Sequence, residues 1–266
     1  MIDLHSHILP GIDDGSKSIE MSLEMARIAA ADGIKILACT PHVRPPTYNN
    51  YSSNITKAIH LLQHQLDKEG IDLKLVLGGD IHINRDIIEK LHNKTIPSLN
   101  GSRYFLFEPP HNVMPPHLVR FCRKILQAGY IPVLTHPERL SWIENHYCVI
   151  TKLDEIGVAI QLTAGAITGD FGKPAKYWSE RLLAEDRTDI IASDAHDITN
   201  RIPVLSKARD FITNFCDEET AKRLTFGNPR RILENRILLR MKEHASSKAL
   251  PKTSFKKIMD RLSVWH

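Results

Sequence analysis

The sequence has few cysteines, and none of them stands in a pattern typical of disulfide, zinc or thiol chemistry. Four occur among 266 residues, namely Cys39, Cys122, Cys148 and Cys216. They form no C-x-x-C pair, so we expect free thiols in a reducing compartment. A C-x5-R loop, which thiolate phosphatases use, is also absent, because the residues six places after the cysteines are Pro45, Ala128, Asp154 and Lys222. The sequence therefore gives no support to a cysteine nucleophile.

Long hydrophobic runs and common phosphate-binding or nucleophile motifs are also missing. No apolar run reaches the roughly 18 residues that cross a bilayer. His5 and His7 stand where the apolar core of a secretory signal would lie. We therefore expect a cytoplasmic protein. Neither a G-x-x-x-x-G-K-[ST] loop nor a G-x-S-x-G elbow occurs, so nucleotide-loop and serine-hydrolase chemistry are not expected.

Positive charge is concentrated at the C-terminus. The net charge is +4, yet residues 240–266 hold seven basic and two acidic residues, and the preceding residues hold 28 and 29. This balance argues against binding of nucleic acid by the body of the protein. We predict one domain over residues 1–242 and a basic tail over residues 243–266. Apolar residues recur in the tail at helical spacing, so it either packs on the domain or docks to an anionic membrane surface or a membrane-bound partner.

Predicted strands and helices alternate along the first 240 residues. The strands are the first seven residues and the segments 35–40, 73–79, 103–107, 131–135, 158–162 and 190–192. Strand–helix repeats of this kind favour a parallel sheet covered by helices. A barrel brings all carboxyl ends of its strands to one mouth, whereas a doubly wound sheet spreads them along an edge. We therefore predict an α/β barrel.

Histidine or an acidic residue follows six of the seven predicted strands, and Asp14 lies in the first loop. These candidate metal ligands are His5, His7, His42, Asp80, Glu108, His136, Asp194 and His196. Each alone is compatible with a loop or helix-cap role, but together they predict a polynuclear metal site. Mixed imidazole and carboxylate ligands favour manganese, iron, cobalt or zinc over calcium. Arg139 and Arg201 flank the ligands and either bind phosphate oxygens or form surface ion pairs.

The sequence resembles the PHP (polymerase and histidinol phosphatase) superfamily. The residues that carry the resemblance are His5-x-His7, Asp14, Pro41-His42, Glu108, His136 and Ser193-Asp194-Ala195-His196. The opening MIDLHSHILPGIDDG and the segment HPERL look like its bacterial tyrosine-protein phosphatase branch, the CpsB/YwqE-like proteins, over residues 1 to about 240. The resemblance implies a distorted (β/α)7 barrel with three divalent metals, manganese first among them. It also implies hydrolysis of phosphotyrosine on a partner tyrosine kinase of polysaccharide export.

The resemblance also implies an assignment of ligands to metals. One metal takes His5, His7 and Asp194, a second takes Glu108 and His136, and a third takes Asp14, His42 and His196. The family has a bridging glutamate where this chain has Asp80, which is one methylene shorter. His82, two residues further on, is either a substitute ligand or a loop histidine.

Two other interpretations of the function remain open at this stage, as does the role of one loop. A small-molecule phosphatase such as histidinol phosphatase shares the metal motif, and a metal-binding adaptor without catalysis would account for Asp80. Arg44, Tyr48 and Tyr51, near His42, either flank an incoming peptide or form a polar loop.

Overall fold

Parallel strands alternate with helices over residues 1–240, the part of the chain that the computed structural model describes. The strands are β1 (Ile2–Ser6), β2 (Ile36–Cys39), β3 (His42–Val43), β4 (Lys74–Leu77), β5 (Asp80–His82), β6 (Tyr104–Glu108), β7 (Ile131–Leu134), β8 (Ala159–Thr163) and β9 (Ile190–Ala192). The helices are α1 (Ile19–Ala31), α2 (Ser52–Lys68), α3 (Ile87–His92), α4 (Leu118–Gln127), α5 (Ile143–Glu155), α6 (Ala164–Thr168), α7 (Gly172–Ala184), α8 (Ser206–Phe215), α9 (Glu218–Lys222) and α10 (Asn228–Leu233).

Every paired strand in the described residues runs parallel to its neighbour. One sheet has the order β1-β2-β4, and the other has the order β3-β5-β6-β7-β8-β9. A bridge between Ser6 and Ala195 links the end of β1 to the segment after β9. The predicted α/β class is confirmed, in the form of a curled parallel sheet with helices along it. The short strands β3 and β5 were not predicted, and they begin just after the predicted second and third strands end at residues 40 and 79.

Proline separates β2 from β3, and glycine separates β4 from β5. Pro41 lies between β2 and β3 and has no backbone N–H to donate to the sheet. Gly78 lies between β4 and β5, where a Cβ atom would come within 2.7 Å of Thr40 Cγ2. The close approach therefore requires glycine. After the break β3 pairs with β5, which places His42 directly beside Asp80.

Buried apolar side chains hold the helices against the sheet. Ile55, Ile59, Leu62 and Leu66 form the buried face of α2, with the three- and four-residue spacing of one helix face. Each such side chain contributes about 1.5–3 kcal/mol when fully buried. All five residues of β6 are buried, as expected for a parallel strand covered on both faces.

The C-terminal end of the described chain differs from the prediction. The last segment predicted from the sequence runs from residue 229 to about residue 243, whereas the helix α10 ends at Leu233. Asn235 then adopts a left-handed backbone with φ of 55°, which ends the helix. Arg240 reaches back to Asp154 and Asp189. The predicted tail, residues 243–266, and its boundary at residue 242 lie outside the described residues.

Two further helices differ from the expectation. The sequence predicts a helix from near Tyr147 to Ile156, whereas the helix α5 begins at Ile143. The short helix α6 was not predicted at all, and it follows directly on β8. Among the described residues, none of the helices combines the length and apolarity needed to cross a bilayer.

Candidate metal centre

The nine predicted ligands lie in one connected cluster at the carboxyl ends of the strands. Within the cluster, neighbouring ligand atoms lie within 4.8 Å of one another in groups of three or four. Most of these side chains are buried, and Asp14 is the most exposed, with 47% of its side chain accessible. A protein interior tolerates so many titratable groups only when they are paired or bind a cation. The buried ligand atoms of the cluster must therefore pair with one another or bind a cation.

The first group brings residues at the start of the chain together with a residue that follows β9. His5 Nε2 lies 3.2 Å and His7 Nε2 lies 3.4 Å from Asp194 Oδ1. The two Nε2 atoms are 3.2 Å apart. The strand β1 places both imidazoles on one side, and the turn after β9 brings the carboxylate to them. These are the three residues assigned to one metal by the resemblance.

The second group lies nearer the surface. Asp14 Oδ1 is 3.5 Å from His42 Nε2 and 3.5 Å from His196 Nε2. The rings of His7 and His196 are 3.9 Å apart between centroids. Asp14, His42 and His196 are the residues assigned to another metal, and His7 lies between the first group and this one.

The third group contains a histidine that the sequence analysis missed. His136 Nε2 lies 3.8 Å from Glu108 Oε1, as the assignment of these two residues to one metal requires. His111 Nε2 also lies 3.0 Å from Glu108 Oε1. The signal in the sequence was weak, because His111 follows Pro109-Pro110 in a loop without regular periodicity.

Asp80 lies between these groups. Its side chain is fully buried, and Oδ2 is 3.1 Å from His42 Nδ1 and 3.9 Å from His5 Nε2. Burial, together with the neighbouring Glu108 carboxylate, raises the pKa of Asp80 well above its ordinary value. A nearby cation would reverse this effect, since it favours the charged carboxylate.

Two polar side chains around the cluster orient its first histidines. His7 Nδ1 is 2.6 Å from Asp13 Oδ2, and His5 Nδ1 is 2.8 Å from Gln161 Oε1. In each case the other ring nitrogen, Nε2, faces the centre. Partners of this kind fix the ring orientation of metal-binding histidines. The sequence prediction named Asp14 but not Asp13 in the first loop, and Gln161 lies within β8, the strand without a predicted ligand.

The surroundings of His7 and His5 shift their pKa values in opposite directions. Burial lowers the pKa of His7, but the carboxylates of Asp13 and Asp194 outweigh it and raise the pKa to about 10. Burial lowers the pKa of His5 to about 3. Burial opposes ionisation of Asp194, yet His5, His7 and the arginines hold the pKa of Asp194 well below its usual range.

Arg139 and Arg201 meet on one oxygen of the cluster. Arg139 Nη1 contacts Asp194 Oδ2, and Arg201 Nη2 donates to the same oxygen at 2.5 Å. The Phe171 ring lies 4.4 Å from the Arg139 guanidinium carbon and 5.8 Å from that of Arg201. Cation–π contact at these distances favours the observed orientation of both guanidinium groups. Phe171 was not identified from the sequence.

Two of the predicted ligand residues have an unusual backbone conformation. His136 has φ of 38° and Asp194 has φ of 52°. A left-handed backbone is uncommon for residues with a Cβ atom and costs about 1–2 kcal/mol. Both residues lie just after the ends of β7 and β9. The left-handed conformation directs their side chains into the cluster. Such outliers occur preferentially at functional sites.

Unpartnered polar atoms test whether a metal fits. His42 Nδ1, both carboxylate oxygens of Asp80 and Glu108 Oε2 are buried and have no hydrogen-bond partner among the described residues. Such atoms are costly to bury unless they bind something. Imidazole nitrogens and carboxylate oxygens are suitable ligands for manganese, iron, cobalt and zinc. The residues present therefore fit divalent metals.

The cysteines take no part in this cluster. No cysteine occurs in the candidate ligand groups of residues 1–240. Burial raises the pKa of Cys122 and of Cys216 to about 12. Both thiols therefore stay protonated and unreactive at neutral pH.

Comparison with known proteins identifies similar chains over almost all of the described residues. Residues 1–234 match the family described as capsular polysaccharide synthesis, CpsB/CapC. The tyrosine-protein phosphatase YwqE of Bacillus subtilis (strain 168) is 37% identical over 201 residues, which are 76% of this chain and 79% of YwqE. The tyrosine-protein phosphatase CpsB of Streptococcus pneumoniae is 30% identical over 243 residues, which are 90% of this chain and all of CpsB.

Solved structures agree with the sequence matches. A chain from the crystal structures of YwqE and CpsB, described there as unique metal-dependent tyrosine phosphatases, matches with a TM-score of 0.87 and 34% identity over 90% of this chain and 97% of that chain. A lactonase from Listeria monocytogenes matches with a TM-score of 0.53 and 15% identity over 87% of this chain and 94% of its own, which shows a likeness of fold alone.

Proposed function

This chain belongs to the CpsB/CapC family of capsular polysaccharide synthesis proteins, and we propose that it is a metal-dependent protein-tyrosine phosphatase. The observation that carries the proposal is the cluster of nine histidine and carboxylate ligands beside two arginines that meet on Asp194. Relatives at 30% identity or more are tyrosine-protein phosphatases by name.

The proposal includes a more specific architecture and cofactor set. The two sheets together form a distorted (β/α)7 barrel, in which β2 with β3 and β4 with β5 each count as one strand. The bridge from Ser6 to Ala195 supports closure between the first and last strands. Three divalent metals, manganese by preference, bind at the mouth. Their ligands are His5, His7 and Asp194 for one, Glu108 and His136 for another, and Asp14, His42 and His196 for the third, with Asp80 between them.

The protein contributes binding and orientation to the reaction. Bound divalent cations supply neutralisation of phosphate charge and a lowered pKa of water. Asp14, Asp80, Glu108 and Asp194 carry four negative charges against six on three dications, so the site remains attractive to a phosphate dianion. Arg139 and Arg201 present planar guanidinium groups side by side, an arrangement that suits two phosphate oxygens. Asp194 and Phe171 hold these groups in place.

We infer that the substrate is phosphotyrosine on a tyrosine kinase of polysaccharide export. Tyr48 supports this inference, because its ring stacks on His42 with a centroid distance of 5.5 Å and an interplanar angle of 19°. An aromatic face beside the metal cluster can contact the ring of an incoming phosphotyrosine. Tyr51, which is 39% exposed, and Arg44 extend this surface.

The proposed function is tested by turnover of a phosphotyrosine peptide. Metal-stripped protein is supplied separately with manganese, cobalt, iron and zinc, and histidinol phosphate is assayed in parallel. We expect metal-dependent release of phosphate from the peptide and much slower release from histidinol phosphate. Equal or faster hydrolysis of histidinol phosphate would assign the protein to small-molecule metabolism. Metal binding without turnover of either compound would indicate an adaptor.

We propose that residues 1–242 form the phosphatase domain and that residues 243–266 act as a separate basic segment. The composition of the segment supports docking to an anionic membrane surface, at about 1 kcal/mol for each basic residue near the leaflet. Deletion of residues 251–266 should abolish sedimentation with anionic vesicles and leave peptide turnover unchanged. Loss of stability without any vesicle binding by the full chain would instead assign the segment a packing role.

A further inference from the structure

His82 belongs to a group of four side chains on three neighbouring strands. In the parallel pairing of β3 with β5, His42 is the register partner of Asp80. In the pairing of β5 with β6, His82 is the register partner of Glu108. Asp80 and His82 are two residues apart on β5, so their side chains point to the same side. The sheet therefore places all four side chains around one point.

The atoms that face this point have no hydrogen-bond partners. Buried atoms without such partners among residues 1–240 include one from each side chain, namely His42 Nδ1, Asp80 Oδ2, His82 Nε2 and Glu108 Oε2. His42 Nδ1 lies 3.1 Å from Asp80 Oδ2 and 3.4 Å from Glu108 Oε2. His82 Nε2 contacts Glu108 Oε2 without the geometry of a hydrogen bond. The four residues have ligand atoms within 4.8 Å of one another.

The short side chain of Asp80 explains why a further ligand is needed beside it. Aspartate reaches one methylene less far than the glutamate of the family pattern, so a cation that glutamate would hold lies further from this carboxylate. His82 approaches the same space from two residues along the strand, with 16% of its side chain exposed. An imidazole nitrogen at that place can contact a cation that the shorter aspartate carboxylate does not reach as closely.

We propose that His82 is a metal ligand, which joins Asp80 and Glu108 on the divalent cation proposed above for Glu108 and His136. The inference rests on the proposed metal centre and adds a ligand to it. Two nitrogens and two carboxylate oxygens suit manganese, iron, cobalt or zinc. His42 lies beside this site, with Nδ1 near Asp80 Oδ2 and Nε2 facing Asp14. A neutral imidazole offers one lone pair to a metal and carries a proton on the other nitrogen, so His42 serves the metal of Asp14 and His196 through Nε2.

The test measures metal content and spectra, which do not depend on turnover. The wild-type protein, His82→Ala, Asp80→Glu and the double variant are stripped, reloaded with manganese and desalted, and bound metal is determined by mass spectrometry. His60→Ala is the matched control, because this histidine lies exposed on α2. Cobalt-loaded samples are compared by visible absorption, which reports the ligands of the bound ion.

We expect His82→Ala to lose about one metal equivalent, or to bind it at least tenfold more weakly, since even outer partners of metal ligands are worth that much. The cobalt spectrum should change as well. Asp80→Glu should restore the lost equivalent in the His82→Ala background, because the longer carboxylate replaces the reach of the imidazole. His60→Ala should match the wild type in both measurements.

Full metal content and an unchanged cobalt spectrum in His82→Ala would overturn the inference and leave His82 as an ion-pair partner of Glu108. Failure of Asp80→Glu to rescue the double variant would overturn the compensation between the two residues. These results are distinguishable from failure of the proposed function, which is measured as absent peptide turnover by the fully loaded wild-type protein.

Discussion

At the scale of single residues, His136 and Asp194 are the proposed ligands whose loss should be most informative. We expect His136→Ala and Asp194→Ala to lower kcat at least about a hundredfold, because a direct ligand should matter more than outer partners, which cost 10–100-fold. Both variants should keep the circular dichroism spectrum of the wild type. A folded variant of either kind with wild-type turnover would contradict the metal assignment.

His7 makes metal binding dependent on pH. Its pKa is raised from the ordinary value of 6.5 to about 10, so the protonated ring stabilises the metal-free fold below about pH 6.5. That contribution is lost as the pH rises through about 10. A metal needs the neutral ring, so His7 should release its proton when metal binds at pH 7.5, and manganese affinity should increase with pH.

Calorimetry in two buffers with different ionisation enthalpies measures this proton release. Asp13→Asn provides the comparison, because it removes the carboxylate 2.6 Å from His7 Nδ1. The variant should release fewer protons and show a shallower dependence of affinity on pH. An affinity independent of pH in the wild type would show that His7 is neutral before the metal binds.

At the scale of elements, the turn after β7 carries strain that a substitution can relieve. His136 has φ of 38°, so glycine should be tolerated there better than alanine. We expect metal-free His136→Gly to have a free energy of unfolding about 1 kcal/mol above that of His136→Ala. Chemical denaturation of both variants measures the difference.

The control uses another ligand on a regular strand. His5 lies within β1, where glycine loses more conformational freedom than alanine on folding. His5→Gly should therefore be less stable than His5→Ala, the reverse of the order at His136. The same order at both positions would show that the turn after β7 is not strained.

The sequence predicted these elements unevenly, for physical reasons. Strand ends were predictable because buried parallel strands are short apolar runs, and the ligands follow them directly. The division of strands at Pro41 and Gly78 was not predicted, since it depends on the close approach of Gly78 to Thr40. Gln161 and Phe171 were missed because their partners, His5 and the two arginines, are distant in sequence.

At the scale of the whole molecule, Arg240 ties the end of the described chain to its body. Its guanidinium group lies 3.1 Å from Asp154 Oδ1 and 2.7 Å from Asp189 Oδ2, and both carboxylates are buried. Removing one partner of a buried ion pair costs about 3–5 kcal/mol. We expect Arg240→Ala to lower the free energy of unfolding by about 3 kcal/mol in chemical denaturation.

Arg236→Ala is the control for Arg240, because its side chain is 64% exposed and forms its ion pair within residues 1–240 with partly exposed Glu234. An exposed pair contributes little, so the change should be far smaller than that of Arg240→Ala. Equal effects would show that general loss of positive charge, rather than the buried contacts, lowers the stability.

The bridge between Ser6 and Ala195 also has a consequence for synthesis on the ribosome. His5 and His7 emerge early, whereas Asp194, their partner at 3.2 and 3.4 Å, emerges only after most of the chain has been translated. At 5–20 residues per second, this interval is roughly 10–40 s. A nascent chain therefore presents an incomplete ligand set throughout its elongation. Under the proposed ligand assignment, incorporation of metal is then a late step of maturation, and chains that terminate before residue 194 lack part of the metal site.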